Sequence, residues 1–332
     1  MDKKKLKSTL FDIGKDILIA FVFVCIIMLA LFAYCGIWPP MVVVESGSMQ
    51  RHNDTSVIGV IDTGDMVFVK KVNGVDDVVT YVDGEATGYS KYGNYGDVII
   101  YRPNGMTEEI DGSAVIPIIH RPVVWIDINT SKVSPMANGI DFDNYTFDIP
   151  SLGLYGTTEN ILLSDYGFWN QEVLINLGMS NGLLKYYLNA NKVPHGGYIT
   201  MGDHNVPSYD QPYYGRYEPV LPEWIVGKAI GEIPWFGLVK LKVTGANLQG
   251  VPSNSWSGLF ITIAIILILP FTLDFILPKI KQLRKKREGS EEVKDAATDE
   301  KDGPQSPEET GTGPPSLPDN EETVPEPPQD VL

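Results

Sequence analysis

The sequence predicts a mainly β domain held between two membrane-spanning helices. Two uncharged apolar runs, residues 17–38 and 256–273, are each long enough to cross roughly 30 Å of hydrocarbon as a helix. The segment between them, residues 39–255, carries short β-branched runs bounded by glycine and proline, which is the pattern of strands and turns. That segment is also long enough to bury a core of its own.

The first apolar run follows a short basic terminus. Residues 1–16 carry five lysines and three aspartates, and the run ILIAFVFVCIIMLALFAYCGIW follows directly. A cleaved secretory signal has a shorter apolar core of about 7–15 residues and an A-x-A-like exit, which this run lacks. We therefore expect residues 17–38 to stay in the protein as a transmembrane anchor.

The second apolar run, WSGLFITIAIILILPFTL, is followed by the basic stretch KIKQLRKKR at residues 279–287. Lys and Arg collect on the cytoplasmic side of membrane spans. Both termini are therefore expected in the cytoplasm, and residues 39–255 outside it. Residues 274–332 then form a basic juxtamembrane segment and a tail, and from Glu288 that tail has 14 acidic residues, 8 prolines and no aromatic residue. Such a composition predicts disorder.

Charge and cysteine content exclude several classes of protein. The formal net charge is −16, and no folded segment offers the positive field that a nucleic-acid binder requires. The only two cysteines, Cys25 and Cys35, lie in one apolar run, where a helix would hold them beyond disulfide reach. No spacing of His, Cys and acidic residues suggests a metal site, so we expect neither a metal nor a cofactor.

The folded middle reads as a series of strands with one inserted subdomain. The strand candidates are residues 41–45, 64–72, 96–102, 114–128, 197–203, 224–233 and 237–243. Residues 172–189 are the best helical candidate, although Gly178 and Gly182 weaken it. The stretch from about 125 to 194 is expected to form an inserted α+β subdomain. Its simplest role would be structural, to cover one edge of the sheet.

A serine, a histidine and an aspartate occur in an order that suits nucleophilic catalysis. Ser48 stands in the glycine turn Ser46-Gly47-Ser48-Met49 after the first strand, and the Ser46 hydroxyl could help stabilise an oxyanion. Of the four histidines, His120 follows the run AVIPII, where a strand could hold an imidazole. His52 and His195 fall in polar, turn-rich segments where we expect solvent around them. Orienting carboxylates are available at Asp203 and Asp210.

These pieces resemble type I signal peptidases, in particular the archaeal and endoplasmic-reticulum branch. Ser46-Gly47-Ser48-Met49 resembles the nucleophile box after the first anchor, with Ser48 as the nucleophile. His120, before Arg121, stands where the bacterial branch has its lysine base. Further segments resemble the family's other boxes in chain order: Gly64–Val67, Gly96–Tyr101, Thr200–Asp210, Val226–Ala229 and Ile233–Gly237.

The resemblance implies a signal-peptidase-like β-sheet catalytic domain and a serine endopeptidase that cleaves N-terminal signal peptides. It implies Ser48 as nucleophile, His120 as general base and an aspartate that orients the imidazole. The expected partners are secretory preproteins, the lipid bilayer and the protein translocation channel. Small residues before the cut, of the A-x-A kind, are the expected preference. The expected location is the cell membrane, or the endoplasmic-reticulum membrane in a eukaryote, with the catalytic domain extracytoplasmic.

Two points stay open at the level of sequence. The Asp203 box carries Met201 and His204 where the family has other polar residues, and the gap to Asp210 is one residue longer. We therefore expect Asp210 to orient the imidazole, with Asp203 as the alternative that otherwise supports the turn. Other readings of the whole chain are a serine–lysine protease using Lys70 or Lys71, and a tethered β domain that binds a protein partner without catalysis.

Overall fold

The computed structural model describes residues 3–109, 111–130, 144–179, 182–211, 218–246 and 248–299. The helices are α1 (Lys3–Cys35), α2 (Tyr81–Thr87), α3 (Leu183–Ala190), α4 (Gly237–Thr244) and α5 (Ser255–Asp299). The strands are β1 (Met41–Val43), β2 (Met66–Lys70), β3 (Ser90–Lys91), β4 (Asn94–Tyr95), β5 (Ile99–Tyr101), β6 (Ile118–Asn129), β7 (Thr146–Ile149), β8 (Leu154–Thr157), β9 (Ile161–Tyr166), β10 (Gln171–Ile175), β11 (Gly197–Met201) and β12 (Ile225–Ile233). The predicted tail beyond residue 299 and residues 131–143 and 180–181 of the predicted insert lie outside the described residues.

The described residues form one large antiparallel sheet and two small hairpins, which confirms the expectation of a sheet-rich domain. The strand order in the large sheet is β1-β2-β12-β5-β6-β7-β8, and β11 also pairs with β6. The hairpins are β3-β4 and β9-β10. Strand β1 stands at one end of this order, so its second edge has no strand partner among the described residues.

The alternation of buried and half-buried side chains in β2 fits its position between two other strands of the sheet. Val67 and Val69 are fully buried, whereas Met66 and Phe68 between them are only half-buried. Strand β2 pairs with β1 on one side and with β12 on the other. Successive side chains of a strand point to opposite faces, so this pattern places the two valines in the core.

Helix α1 contains most of the apolar segment predicted over residues 17–38, but it ends at Cys35, so residues 36–38 lie beyond it. Its stretch Ile13–Cys35 covers 23 residues with a mean hydropathy of 3.0, and none of its most apolar window is buried against the protein. By length and composition this stretch can cross a membrane. Among the described residues it is the one helix that meets this criterion, because the apolar part of α5, Ser255–Pro270, is shorter.

The prediction of a helix over residues 172–189 is wrong for its first half. Residues Gln171–Ile175 form β10, which pairs with β9 and buries Val173 and Ile175. The helix α3 starts only at Leu183. A Cβ on Gly182 would lie 2.5 Å from the Gly178 nitrogen, so the two glycines permit a tight backbone approach that separates strand from helix.

Two other segments are helical where the sequence predicts otherwise. Residues 237–243, expected as a strand, lie in α4, which buries Leu238 and Leu241 and exposes Val239 and Val243. The buried pair is three residues apart, and this spacing places both side chains on one helix face. Helix α5 also continues through residues 288–299, the first part of the predicted disordered tail; three Glu and two Ala in this part favour helices.

Candidate active site

Ser48 lies in the turn that follows β1, and the next residue fixes that turn to the core. Met49 is 1% exposed and packs among buried residues of the neighbouring strands, including Val67 and Ile100. The Ser48 carbonyl accepts a hydrogen bond of 2.8 Å from the His204 backbone N–H. The Ser48 side chain is half-buried, and its Oγ lies 3.3 Å from Ser46 Oγ. The turn is thus anchored while its hydroxyl reaches the surface.

His120 belongs to β6, in the part of that strand that pairs with β5. Its Cα partner in the register is Ile99, and its side chain is almost fully buried. The ring nitrogen Nδ1 lies 2.7 Å from Asp210 Oδ2. Because a carboxylate only accepts hydrogen bonds, Nδ1 carries the proton and Nε2 of the neutral ring keeps a free electron pair. The strand and the carboxylate together fix the orientation of the imidazole.

Asp210 is held by two further donors besides His120. Its Oδ2 accepts hydrogen bonds from the Tyr101 hydroxyl at 2.8 Å and from Thr200 Oγ1 at 2.6 Å. Its backbone N–H donates to the Thr200 carbonyl at 2.8 Å. The carboxylate is therefore restrained from both its main chain and its side chain. Such support keeps a histidine partner in one position through a reaction.

Ser48, His120 and Asp210 line one cleft of about 1080 Å³. Its walls are mainly apolar and come from β1 and from the chain that enters β6; they include Met41, Val43, Ile116 and Ile118. Within the described residues, the only hydrogen-bond partner of Ser48 Oγ is Ser46, and no hydrogen bond joins it to His120. Ser48 and His120 thus line the same cleft without a direct hydrogen bond between their side chains.

Gly202 lies between the serine turn and the histidine. A Cβ built on this residue would stand 2.5 Å from the Ser48 carbonyl oxygen and 2.9 Å from His120 Nε2. Both distances are shorter than a carbon can tolerate, so only glycine lets the two approach the same point. The distances also show that the Ser48 main chain and Nε2 of the His120 ring converge on one residue.

Asp203 has a partner other than the imidazole. Its two carboxylate oxygens accept hydrogen bonds from Arg121, at 2.8 Å from Nε and 2.6 Å from Nη2. Both side chains are buried. Arg121 also donates to the carbonyls of Lys91, Tyr95 and Gly96. The geometry thus gives Asp203 a structural ion pair and gives the contact with His120 to Asp210.

The two lysines considered as alternative bases lie elsewhere. Lys70 ends β2, and its Nζ lies 5.2 Å from the centre of the Tyr34 ring. Neither Lys70 nor Lys71 lines the cleft; Lys240 does, and it is paired with Glu45 at 3.1 Å. Lys240, the lysine that lines the cleft, is therefore engaged in an ion pair with Glu45 at the rim.

Four residues of the site were missed by reasoning from sequence. Tyr101 and Thr200 stand within the boxes that resemble the family, and Arg121 stands next to His120. Their contacts depend on strand register, because β5 pairs with β6 and β6 with β11. Gly202 lies inside the Thr200–Asp210 segment, and the sequence alone predicts no separate role for it. Its signal was the glycine itself, which a close approach of two chains often requires.

The prediction that His195 is surrounded by solvent is wrong, because both of its ring nitrogens have partners in the protein. Its Nε2 lies 2.9 Å from Glu218 Oε2, and Nδ1 lies 2.7 Å from the Gly196 carbonyl. Lys192 also pairs with Glu218. The hydrogen bonds from His195 and Lys192 lower the pKa of Glu218 to about 2. This group ties the segment between α3 and β11 to Glu218, which precedes β12.

Three acidic side chains, two of them fully buried, come together from the turn before β2 and from β12. Asp62, Asp65 and Glu232 interact with one another, and the Asp62 backbone N–H donates to Asp65 Oδ2 at 2.8 Å. Burial raises the pKa of Asp65 to about 7 and that of Glu232 to about 7. Asp62 Oδ1 and Glu232 Oε2 are buried with no hydrogen-bond partner in the part of the chain that the structure describes. Protonation of the cluster is therefore favoured in the folded protein.

Among the described residues, no cluster of three or more His, Cys, Asp or Glu side chains has the arrangement needed to hold a metal ion. Compared with protein-family models and with curated proteins, the chain matches none.

Proposed function

We propose that this protein is a membrane-anchored serine endopeptidase that removes signal peptides from exported preproteins. The observation that carries the proposal is the 2.7 Å hydrogen bond between His120 Nδ1 and Asp210 Oδ2 in the cleft that Ser48 also lines. A binding domain would not need a serine, a histidine and an orienting carboxylate at one cleft. The turn with Ser48 also follows the apolar helix α1 by only a short strand, near the membrane where a preprotein emerges.

The chemistry would follow the roles of a serine–histidine–aspartate triad. His120 Nε2 takes the Ser48 Oγ proton as that oxygen attacks the scissile carbonyl carbon. The protonated ring then gives this proton to the leaving amine, and the carbon–nitrogen bond breaks to leave an acyl-enzyme. Water activated by His120 hydrolyses the ester. Asp210 stabilises the imidazolium in both steps. The Oγ–Nε2 hydrogen bond forms in the substrate complex, because catalytic hydrogen bonds often close only there.

The oxyanion of each tetrahedral intermediate needs donors beside Ser48. The Ser48 backbone N–H and the Ser46 hydroxyl are the candidates, and the two serine Oγ atoms are 3.3 Å apart. One such donor contributes about 3–4 kcal/mol to stabilising a transition state in related chemistry. Ser46 is exposed, so its hydroxyl has room to turn from Ser48 Oγ toward the reacting oxygen.

The substrate is expected to bind as an extended strand beside β1. The edge of β1 that no described strand pairs with offers backbone donors and acceptors, and Met41 and Val43 line the cleft. Strand addition supplies main-chain hydrogen bonds, while alternate side chains enter pockets. The apolar walls suit the small uncharged residues that precede a signal-peptide cut. The preprotein would reach the cleft from a translocation channel beside α1.

We propose a second membrane span at residues 256–273 and a cytoplasmic location for both termini. The support is the single continuous helix α5 and the basic cluster at residues 279–287. The catalytic domain then lies on the far side of the membrane. Protease added to sealed spheroplasts should digest residues 39–255 and spare an epitope fused after Leu332. Loss of that epitope with an intact middle would reverse the topology.

The function is tested with the purified full-length protein and a preprotein that carries an apolar signal and an A-x-A site. Wild-type protein should release one mature product, located by mass spectrometry, and Ser48→Ala should release none. A protein that binds the preprotein without cutting it would instead be the tethered binding domain. Cleavage that persists in Ser48→Ala would place the nucleophile elsewhere.

A further inference from the structure

A short turn of the predicted insert lies against the loop that holds the serine. We call residues Gly167–Trp169 the insert turn. The Trp169 ring meets the His204 ring edge-on, with centroids 5.6 Å apart and planes at 73°. Arg51 Cζ lies 5.6 Å from the centre of the Phe168 ring. A Cβ on Gly167 would come within 3.2 Å of Val206 Cγ2. The insert turn therefore contacts both chain segments around Ser48.

The insert turn is fixed from its own side. Tyr166, directly before it, is fully buried, and its ring centroid lies 4.0 Å from that of Tyr81. Gly167 and Asn170 adopt positive φ angles of 76° and 49°, which shape a compact turn. The Gly167 N–H lies 3.4 Å from the Tyr81 hydroxyl. A turn anchored in this way can hold the neighbouring side chains, including the His204 ring, in one position.

His204 connects the insert turn to the serine. Its backbone N–H donates to the Ser48 carbonyl at 2.8 Å, and its Nδ1 lies 3.0 Å from the Gln50 carbonyl. A carbonyl only accepts, so Nδ1 carries the proton and donates. Gln50 is itself buried and accepts from Thr63 Oγ1 at 3.2 Å. One residue thus holds the main chain at Ser48 and two residues after it.

Resting on the proposed function, we propose that Trp169 is a positioning residue that holds Ser48 in its reactive place through His204. Trp169 does not line the cleft, so it has no contact with substrate or reacting atoms there. Its side chain is 43% exposed, so thermal unfolding must be measured beside activity to separate lost packing from the lost contact with His204. What its removal takes away is the edge contact that fixes the His204 ring. This gives the inserted subdomain a role in the reaction beyond covering the sheet.

The test compares Trp169→Ala, Trp169→Phe and a control in the full-length protein, with kcat, KM and thermal unfolding measured for each. Leu174→Ala is the control, because Leu174 is an equally exposed apolar residue of the same insert. A small displacement of reacting groups costs much of the rate. Trp169→Ala should lower kcat about tenfold with KM within about twofold. Trp169→Phe, which keeps an aromatic edge, should recover most of kcat, and the control should match wild type.

A double-mutant cycle with His204→Asn decides the pathway, because residues that act through one contact are not additive. The asparagine amide can still donate to the Gln50 carbonyl, but it removes the ring that Trp169 contacts. The double variant should be no slower than the slower single variant. Additive losses, an unchanged kcat in Trp169→Ala, or a rise confined to KM would each overturn the proposal. A wild-type protein that cuts nothing would instead overturn the proposed function, so the two failures are distinguishable.

Discussion

His120 and Asp210 are 90 residues apart in sequence, and Nδ1 of the first lies 2.7 Å from Oδ2 of the second. The contact depends on β6, which carries His120, and on the end of β11, which precedes Asp210. Strands β6 and β11 pair in antiparallel register, with Thr200 opposite Pro122 and Met201 opposite Arg121. The sheet therefore brings the loop after β11 to the end of β6 where His120 lies.

Asp210→Asn should keep the fold and lose turnover. Tyr101, Thr200 and His120 all bond to the same oxygen, Asp210 Oδ2. Asparagine removes the negative charge there, and an amide N–H₂ turned toward the ring favours the wrong tautomer of His120. We expect an unchanged melting temperature and a loss of kcat of about four orders of magnitude. Parallel thermal unfolding and preprotein cleavage measure both. A variant that still cuts at near wild-type rate would remove Asp210 from the mechanism.

Asp203→Ala should act mainly on stability. It leaves Arg121, which is fully buried, with an uncompensated charge. Loss of one partner of a buried ion pair costs about 3–5 kcal/mol of unfolding free energy. Urea unfolding of the detergent-solubilised protein measures this loss, with the exposed Asp54→Ala as the control. Should Asp203→Asn prove stable but inactive while Asp210→Asn stays active, Asp203 would be the orienting residue.

Gly202→Ala should disturb the site without a large effect on the sheet. The new methyl group would meet the Ser48 carbonyl at 2.5 Å and His120 Nε2 at 2.9 Å, so one of them must move. A displacement of this size is expected to lower kcat by about 100-fold. Gly231→Ala is the matched control, since its Cβ would make only an ordinary contact of 3.6 Å with Phe68. Equal activities in the two variants would argue against the convergence of Ser48 and His120 on Gly202.

Stability should fall as pH rises from about 4 to about 7. Burial raises the pKa of Glu232 to about 7, and that of Asp65 to about 7, from ordinary values of 4.5 and 3.8. In this window the folded protein binds more protons than the unfolded chain, so raising the pH favours unfolding. Glu232→Gln should flatten the pH dependence, and the exposed Glu85→Gln should leave it unchanged. A wild-type melting temperature that rises across the window would contradict the burial of these carboxylates.

The sequence predicted the parts of this protein that depend on local pattern. Alternating and β-branched runs located most of the large sheet, and one long uncharged run located the span within α1. The serine, the histidine and the expected aspartate line one cleft, although Asp203 and Asp210 could not be separated on sequence. The roles of the two aspartates are distinguished by Arg121, which pairs with Asp203 in a buried contact that sequence spacing does not reveal.

Other errors arose where tertiary contacts override local preference. Apolar residues at 237–243 suggest a strand, but Gly237 lies close to the backbone of Gly64, and a helix begins there. The run from Glu172 has helical spacing, yet Val173 and Ile175 are buried by pairing with β9. The contacts of Trp169 with His204 join segments far apart in the chain. None of these contacts leaves a periodic signal in the sequence.

The most direct test of the account is a cycle of Ser48→Ala, His120→Ala and the double variant, assayed on one preprotein. A nucleophile and its base act as a unit, so each single variant should lose several orders of magnitude in kcat. The double variant should be no slower than either, and all three should unfold at the wild-type temperature. Near-full cleavage by His120→Ala, or losses that multiply in the double variant, would contradict a mechanism in which His120 activates Ser48.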